Sequence, residues 1–359
     1  MVERIAVIGA GIVGLCLSEQ LAVSGAQVDL IERDAPGAGA TSRSFAWINA
    51  TVDKQPRSYF ELSRAAVDCW RRWGESDPRL GVRWVGSVEW ADELGSPKLE
   101  RALERHRGLG ASARAVSPDE LAELEPEVSS DDAAFACATA DEAVVEPAAL
   151  VARLVERCEA AGVRLHRQAA LSTAAWASEW RLCLKRADEP KELFADAVVL
   201  AAGTATEALA RLFASEVSLV DSPGVLVEVP AAKEPRGVVL SPEVHFRSTG
   251  AGFVRAGLDF GGEDRGWSDE RIAAEIGRRL GDRIPGVAAE ELRFVRGERP
   301  MPADGLPVVG RLQSPGELFV AVMHSGVTLA PFVAEGLAAE ILTGDRDERL
   351  ADFRPRSGV

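Results

Sequence analysis

A glycine-rich hexapeptide near the N-terminus carries the clearest chemical signal of the sequence. Gly9, Gly11 and Gly14 have the spacing Gly-x-Gly-x-x-Gly, and Glu32 follows 18 residues after Gly14. In such a turn the first glycine makes the bend, the second leaves room for a pyrophosphate at a helix start, and the third lets the helix pack on a strand. Glu32 would accept hydrogen bonds from an adenosine ribose and disfavour a 2′-phosphate. The pattern predicts a site for FAD or NAD, and it cannot choose between them.

Other residues that could bind a ligand or take part in a reaction are spread along the chain. Residues 37–43 read Gly-Ala-Gly-Ala-Thr-Ser-Arg and offer N–H and hydroxyl donors for a diphosphate or a ribityl chain. On composition alone, an ordinary surface loop is the better interpretation of that segment. His245 and Arg247 lie two residues apart on an expected strand, so they share one face. They are candidates for a substrate pocket, and a polar outer face of a sheet is an equally good interpretation.

Hydrophobic periodicity predicts the elements that hold the glycine motif. Arg4–Ile8 and Val28–Ile31 are short apolar runs typical of buried strands, and helical spacing extends between them to Ser24. This β-α-β order predicts a parallel sheet covered by helices. The same character returns later, with helices expected at 147–161 and 331–342 and strands expected at 163–165, 197–202 and 318–323.

Two intervening stretches have a different character. In residues 51–140, helical spacing between Tyr59 and Trp73 gives way to apolar residues at alternate positions from Val82 to Trp90. Residues 217–298 favour strands at 224–229, 238–247 and 253–258, followed by a capped helix at 269–280. We therefore predict an α/β fold. A Rossmann-type dinucleotide-binding domain, built from 1–50, 141–216 and 299–359, is interleaved with an α+β substrate domain, built from 51–140 and 217–298, whose sheet is mostly antiparallel.

Charge and cysteine content narrow the functional classes. The chain has 359 residues, with 41 Lys and Arg against 56 Asp and Glu, a formal net charge of -15. Such a field repels polyanions, so nucleic-acid or anionic-membrane partners are not expected. The five cysteines lack metal-ligand spacing, so no metal site is expected, and reduced thiols in a cytoplasmic protein are the simplest interpretation. We find no run of apolar residues long enough for a membrane span and no signal-peptide pattern.

The C-terminal region resembles a family of flavoproteins. The segment from Arg299 to Gly310 contains Arg-Pro followed by Asp-Gly-Leu-Pro, and residues 326–331 read Gly-Val-Thr-Leu-Ala-Pro. With the glycine motif, the loop at 39–42, residues 141–147 and the run 198–203, the chain resembles the D-amino-acid oxidase, glycine oxidase and sarcosine oxidase family over essentially its whole length. This resemblance favours FAD over NAD and makes the first domain FAD-binding.

The resemblance also implies roles for individual residues. Arg299 would clamp a substrate carboxylate, and His324 would lie close to the flavin or the substrate. The final helix would direct its first N–H groups at the flavin ring. Cofactor contacts are expected from Gly9, Gly11, Ile12, Val13, Gly14, Glu32, Arg33, Gly39, Ala40, Thr41, Ser42, Leu171, Ala202, Gly203, Arg299, Ser325, Gly326, Val327, Thr328 and Leu329. The anchoring Cys or His of covalently flavinylated relatives is absent, so FAD is expected to be non-covalent.

The resemblance implies oxidation of the C–N bond of an amino acid or amine, with hydride transfer to flavin N5 and with O2 or another molecule as electron acceptor. One departure bears on the substrate. D-amino-acid oxidases pair their arginine with tyrosines, whereas this chain has only Tyr59, on an expected N-terminal helix. The carboxylate is therefore expected to use other partners, which weakens the case for free D-amino acids. A 2-hydroxy-acid dehydrogenase of the same fold and a non-catalytic flavin-binding subunit remain alternatives.

Overall fold

A computed structural model describes residues 2–50, 54–186, 189–258 and 266–356. Its α-helices are α1 (Ile12–Val23), α2 (Arg57–Ser76), α3 (Ser96–Gly108), α4 (Pro118–Leu124), α5 (Pro147–Ala160), α6 (Thr206–Leu212), α7 (Asp269–Arg283) and α8 (Gly326–Thr343). Its strands are β1 (Arg4–Ile8), β2 (Gln27–Ile31), β3 (Trp47–Ile48), β4 (Arg83–Trp84), β5 (Ser87–Ala91), β6 (Arg114–Val116), β7 (Phe135–Thr139), β8 (Ala143–Val144), β9 (Arg164–His166), β10 (Ala170–Trp176), β11 (Trp180–Lys185), β12 (Lys191–Ala195), β13 (Ala197–Leu200), β14 (Leu219–Val220), β15 (Pro223–Pro230), β16 (Val238–Leu240), β17 (His245–Ser248), β18 (Phe253–Gly257), β19 (Arg293–Glu298), β20 (Met301–Pro302), β21 (Val308–Arg311) and β22 (Glu317–Val322).

A six-stranded sheet in the order β21-β22-β13-β1-β2-β9 forms the centre of the dinucleotide-binding region. Its pairings are parallel except for the β21–β22 edge. The strands are almost entirely apolar because helices cover one face and a second layer covers the other. On one face pack α1, α5 and α8, and on the other pack α6 and the antiparallel sheet β10-β11-β12. This is the predicted Rossmann-type architecture.

An eight-stranded sheet in the order β19-β15-β18-β17-β16-β5-β7-β6 forms the second large unit. Its pairings are antiparallel except that β16 runs parallel to β5, so the expected mostly antiparallel sheet is confirmed. One face of this sheet packs on α7 through Val, Ile and Phe side chains. The opposite face carries polar residues such as Ser87, Glu89, Thr139 and Arg247.

The position of helix α2 suggests a different boundary between the two proposed domains. The sequence groups it with the substrate domain, but its apolar face (Leu62, Ala66, Trp70) lies in the same core as α1 and α8. A short sheet, β3-β8-β4, also joins segments from both predicted domains. We therefore propose that the dinucleotide-binding unit includes α2.

Two element predictions need correction. Residues 238–247 form two strands joined by a turn, because Ser241 and Pro242 interrupt the run and Ser241 bonds the carbonyl of Val244 at 2.7 Å. The alternating segment from Val82 to Trp90 is also divided. It is interrupted at Gly86, whose φ of +69° lets the chain pass from the short sheet into the large one.

The final helix begins five residues before the predicted start, at Gly326 instead of Pro331. Its length and apolar composition would suit a membrane span, but 67% of it is buried within the fold, as in the core helix of a soluble protein. It packs against α1 and α2. We interpret it as a core helix.

Candidate active site

A cleft of about 430 Å³ lies at the carboxyl ends of β1, β2 and β13. Ligands of open parallel sheets bind at such strand ends. The structure brings together most of the predicted cofactor-binding residues here: Gly9, Gly11, Ile12, Val13, Glu32, Arg33, Gly39, Ala40, Thr41, Leu171, Ala202, Gly203, Gly326 and Val327, with His324 beside them.

Each glycine of the hexapeptide has a different structural role. Gly9 adopts φ +107°, and a Cβ there would lie 2.5 Å from the carbonyl oxygen of Ala201. A Cβ on Gly14 would lie 1.9 Å from the oxygen of Gly9, so only glycine lets α1 pack this closely on β1. A Cβ on Gly11 would meet only the Thr41 hydroxyl, at 3.3 Å, and Gly11 lines the cleft. The space beside Gly11 is therefore available to a ligand.

Glu32 is held at the end of β2 by two backbone amides. Its carboxylate accepts the N–H of Ala10 and the N–H of Asp34, each at 2.8 Å. The side chain lines the cleft beside the glycine turn. A carboxylate fixed in this place can accept hydrogen bonds from ribose hydroxyls, in line with the sequence-based prediction. Arg33 also lines the cleft, and its guanidinium pairs with Asp34 at 3.1 Å.

The glycine-rich loop contributes Thr41 to the cleft but not Ser42. The Thr41 hydroxyl accepts the N–H of Ile12 at 3.1 Å and joins the loop to the start of α1. Ser42 is exposed, and its hydroxyl donates to the carbonyls of Ala38 and Gly39 within the loop. The sequence prediction for Ser42 is not supported by this geometry.

The N-terminus of α8 points two residues, Gly326 and Val327, into the cleft. The Ser325 hydroxyl does not cap the helix, because it makes a short hydrogen bond with the Tyr59 hydroxyl. An uncapped helix start carries partial positive charge and favours an anion. The predicted cofactor contacts Thr328 and Leu329 instead make hydrogen bonds within the protein. Leu329 donates its N–H to the carbonyl of Ser325, and Thr328 bonds the carbonyl of Trp47.

His324 is surrounded by groups that keep its imidazole neutral. Its Nε2 lies 3.2 Å from the Tyr59 hydroxyl, and its Nδ1 lies 3.3 Å from the Ser325 hydroxyl. Burial, followed by the positive charges of Lys54 and Arg299, lowers the pKa of His324 to about 4. At neutral pH this ring is therefore neutral and can accept a hydrogen bond at an edge of the cleft.

Two cations, Lys54 and Arg299, act on this histidine and contribute to its low pKa. In the described parts of the chain, the Arg299 guanidinium is exposed and makes no ion pair, while its backbone N–H donates to Ser222. Lys54 lies over the Tyr59 ring, with 5.0 Å between Nζ and the ring centroid. Burial lowers the pKa of Lys54 to about 8, although the nearby Glu142 carboxyl opposes that shift. An anionic ligand group would relieve this concentration of positive charge.

Glu142 is a fully buried carboxyl group close to the same region. It accepts the indole N–H of Trp47 at 3.0 Å and is hydrogen-bonded to Ser87. Burial raises the pKa of Glu142 to about 8, against the opposing effects of those hydrogen bonds and of Lys54. The side chain is therefore largely protonated at neutral pH, which removes the cost of burying a charge.

Arg247 is an anchor inside the protein, in contrast to its predicted place in a substrate pocket. Its side chain is 1% exposed and pairs with Glu146 at 2.6 Å. It also donates to the carbonyls of Phe45 and Val145. These donors are therefore occupied by the protein. His245 does lie on the same face of β17, and its ring makes an edge contact with Phe45 at 4.8 Å between centroids.

Comparison with known proteins identifies the family. The model of the DAO family, described as FAD dependent oxidoreductase, matches residues 4–340. This chain belongs to that family. Curated relatives include a glycine oxidase of Pseudomonas aeruginosa, 24% identical over 96% of this chain and 96% of the relative. The crystal structure of glycine oxidase from Geobacillus kaustophilus superposes with a TM-score of 0.86 at 21% identity, covering 99% of this chain and 100% of the other.

Another relative is longer than this chain. The tRNA 5-methylaminomethyl-2-thiouridine biosynthesis bifunctional protein MnmC of Maricaulis maris is 27% identical over 95% of this chain. The present chain spans about half of that protein's length, 52%. The likeness therefore concerns one part of the bifunctional protein.

The cleft of this FAD-dependent oxidoreductase fits the cofactor of its family. The glycine turn leaves space at Gly11 for a pyrophosphate, Glu32 presents a fixed carboxylate for the ribose, and the start of α8 presents N–H groups at the other side. Among the described residues, no cluster of three His, Cys, Asp or Glu side chains could hold a metal ion.

Three residues of this site were not among the sequence-based candidates. Tyr59 appeared only as a lone tyrosine on an expected helix, yet α2 brings its hydroxyl to His324 across 265 positions of sequence. Lys54 belongs to no motif, and Glu142 lies in the segment 141–147, part of the family resemblance, which assigned it no role. A signal existed only for Glu142, because an acidic residue beside the apolar run Ala143–Val145 suggests burial.

Proposed function

We propose that this FAD-dependent oxidoreductase oxidises the C–N bond of an amino acid or a related amine that carries a carboxylate. The observation that carries the proposal is Arg299, an exposed guanidinium without an ion-pair partner in the described chain, whose charge reaches His324 at the cleft. Arginine binds a carboxylate through two parallel hydrogen bonds. The glycine oxidases among its relatives are consistent with such a substrate.

The side chains around the cleft would divide the work. Arg299 would bind the carboxylate, and Lys54 would add positive charge on the same side. His324, neutral at pH 7, would accept a hydrogen bond without adding charge. The bound FAD would supply the redox chemistry by accepting a hydride at N5 from the carbon next to the neutral amine. The positive end of α8 at Gly326 and Val327 would stabilise negative charge next to it.

We propose that FAD is held without a covalent bond. No cysteine lines the cleft, and the loop after β2 contains no histidine. His324 does line the cleft, so the proposal needs a test. Precipitation of the holoprotein with acid is expected to release all of the yellow colour into the supernatant. Colour that stays with the precipitate would indicate a covalent bond.

Net charge and the burial of α8 support our proposals about nucleic-acid and membrane partners. The formal net charge of -15 disfavours tRNA and other nucleic acids as substrates, despite the name of one relative. The burial of α8 favours a protein without a membrane partner, and we propose a cytoplasmic location. The electrons would pass to O2 or another electron acceptor.

An anaerobic reduction experiment tests the proposed reaction. Purified holoprotein is mixed without oxygen with amino acids of either configuration, their decarboxylated amines, and matching 2-hydroxy acids, and flavin absorbance is followed. Bleaching by amino acids, with slower bleaching by the amines, is the expected result. Bleaching by 2-hydroxy acids alone would favour the alternative oxidoreductase, and no bleaching by any compound would favour a non-catalytic flavin-binding subunit.

A further inference from the structure

The final helix, α8, begins after a serine that does not cap it. Helices α4 and α7 also begin after a serine. In α4, Ser117 accepts the backbone N–H of Glu120 at 3.2 Å. In α7, Ser268 accepts the backbone N–H of Arg271 at 3.3 Å. Ser325 has the same position before α8, but its hydroxyl accepts no N–H of that helix, so the start of α8 differs from the starts of α4 and α7.

The backbone of Ser325 shows the same difference. Ser117 and Ser268 are extended, with ψ angles of 163° and 158°, the backbone conformation typical of a capping residue. Ser325 has a ψ angle of 35°. In the described parts of the chain, the first three N–H groups of α8 have no protein acceptor, and its first two residues line the cofactor cleft. The positive end of α8 is therefore not compensated by a cap at the cleft.

The Ser325 hydroxyl bonds to the side chain of Tyr59 instead of to the helix. The two hydroxyl groups are hydrogen-bonded, and the Ser325 oxygen also lies 3.3 Å from Nδ1 of His324. The Tyr59 ring extends from α2 and packs edge-on against Phe353, with 6.1 Å between the ring centroids. Burial raises the pKa of Tyr59 to about 12, so its phenol keeps its proton at neutral pH and remains a donor. The Ser325 hydroxyl is therefore occupied away from the helix.

We propose that Tyr59 is a positioning residue for the FAD site: its hydroxyl keeps Ser325 from capping α8, so that the positive end of this helix acts on the bound cofactor. Positive charge at a helix start stabilises negative charge on a neighbouring group. A capping oxygen would take up the N–H of the second or third helical residue and offset part of that charge. The inference concerns the cofactor site alone and does not depend on the substrate proposed above.

Sulfite is a suitable probe, because it adds to oxidised flavin and leaves negative charge on the ring. Its dissociation constant is measured from the loss of flavin absorbance in the holoprotein, together with the midpoint potential of the flavin. In Tyr59→Phe the Ser325 hydroxyl is released and can cap α8. We therefore expect sulfite to bind about two- to fivefold more weakly than in the wild type, and the potential to become more negative.

Two further variants separate this effect from other consequences of losing the phenol. The double variant Tyr59→Phe/Ser325→Ala has no hydroxyl that could cap α8, so its sulfite affinity and potential are expected to return to the wild-type values. Ser63→Ala removes a buried hydroxyl of α2 that bonds the backbone carbonyl of Tyr59 at 2.8 Å. It leaves the Tyr59 hydroxyl in place and is the matched control, with unchanged sulfite affinity.

Three results would overturn the inference. Wild-type sulfite affinity in Tyr59→Phe would show that the phenol does not influence the helix start. The same weakening in the double variant would show that Tyr59 acts by another route, such as its contact with Nε2 of His324 at 3.2 Å. Ser325→Ala alone should bind sulfite within about twofold of the wild type, since its hydroxyl caps nothing there. A larger change in either direction would overturn the inference, even if Tyr59→Phe does not fold.

Discussion

Trp70 donates its indole N–H to the backbone carbonyl of Val327, with 2.9 Å between Nε1 and the oxygen. In a regular helix this carbonyl would accept the N–H of residue 331, but Pro331 has none. The indole of α2 thus satisfies a buried acceptor that the proline leaves unmet. This contact secures the first turn of α8, where Gly326 and Val327 line the cofactor cleft.

Removing the indole N–H of Trp70 should destabilise the protein, and a second substitution at Pro331 should restore part of the lost stability. We expect Trp70→Phe to lower the free energy of unfolding by about 1–3 kcal/mol, because it leaves a buried carbonyl unpaired. Pro331→Ala supplies an N–H in the helix and should reduce the loss in the double variant. Trp73→Phe is the control, since the partner of Trp73, Glu335, is partly exposed. Denaturant unfolding is measured for the wild type and the four variants, and additive losses in the double variant would contradict the explanation.

Substitutions at Gly11 and Gly14 should distinguish loss of cofactor binding from loss of folding. Gly11→Val is expected to give folded protein without FAD, because Gly11 lines the cleft and a Cβ there meets only the Thr41 hydroxyl within the protein. Gly14→Ala should prevent folding or destabilise it severely, since its Cβ would overlap the oxygen of Gly9. Gly281→Val, at an open position of α7, is the control. Circular dichroism and the ratio of flavin to protein absorbance check this, and stoichiometric FAD in Gly11→Val would place the cofactor elsewhere.

His324 should make stability fall on acidification. Its pKa in the folded protein, about 4, lies below the ordinary value of 6.5. The unfolded chain therefore binds a proton first, and the contribution of His324, complete above pH 6.5, is lost as the pH falls towards 4. We expect Arg299→Ala to raise this pKa. NMR titration of the histidine carbons, assigned with His324→Gln, measures both values, and a wild-type pKa at or above 6.5 would contradict the electrostatic account.

Glu142 should have the opposite pH dependence. Its pKa of about 8 in the folded protein lies above the ordinary value of 4.5, so the unfolded chain loses its proton first as the pH rises. The wild type therefore loses stability between pH 4.5 and 8 because of this group. Glu142→Gln keeps an acceptor for Trp47 and cannot ionise. Its free energy of unfolding should gain on the wild type by at least about 1 kcal/mol between pH 5 and pH 8. A constant difference would show that Glu142 is ionised.

The sequence predicted the parts of the fold in which local pattern decides the structure. The glycine spacing identified the turn because Gly9 and Gly14 have no sterically possible substitute there. Apolar runs such as Ala197–Leu200 identified the central strands because both faces of that sheet are covered. The antiparallel sheet β10-β11-β12 was missed, since no residue of β10 is fully buried and its pattern is weak.

The candidate site was predictable only where a motif exists. His324 and the start of α8 follow from the resemblance, but the contact between His324 and Tyr59 depends on how α2 packs, which no local pattern encodes. The role of Arg247 was misjudged for a similar reason. Its acceptors, on Phe45 and Glu146, are far away in sequence, and only the folded chain shows that its donors are occupied.

Arg299 provides the most direct test of the central claim. On the amino acid that reduces the flavin fastest, Arg299→Ala is expected to lower kcat/KM by about ten- to a hundredfold or more, the value of a hydrogen bond to a charged group. Arg299→Lys should restore only part, because a point charge does not reproduce the bidentate fork. FAD content should stay normal, and the decarboxylated amine should be oxidised equally well by both proteins. Unchanged kcat/KM on the amino acid, or an equal loss on the amine, would contradict the carboxylate clamp and with it the proposed substrate class.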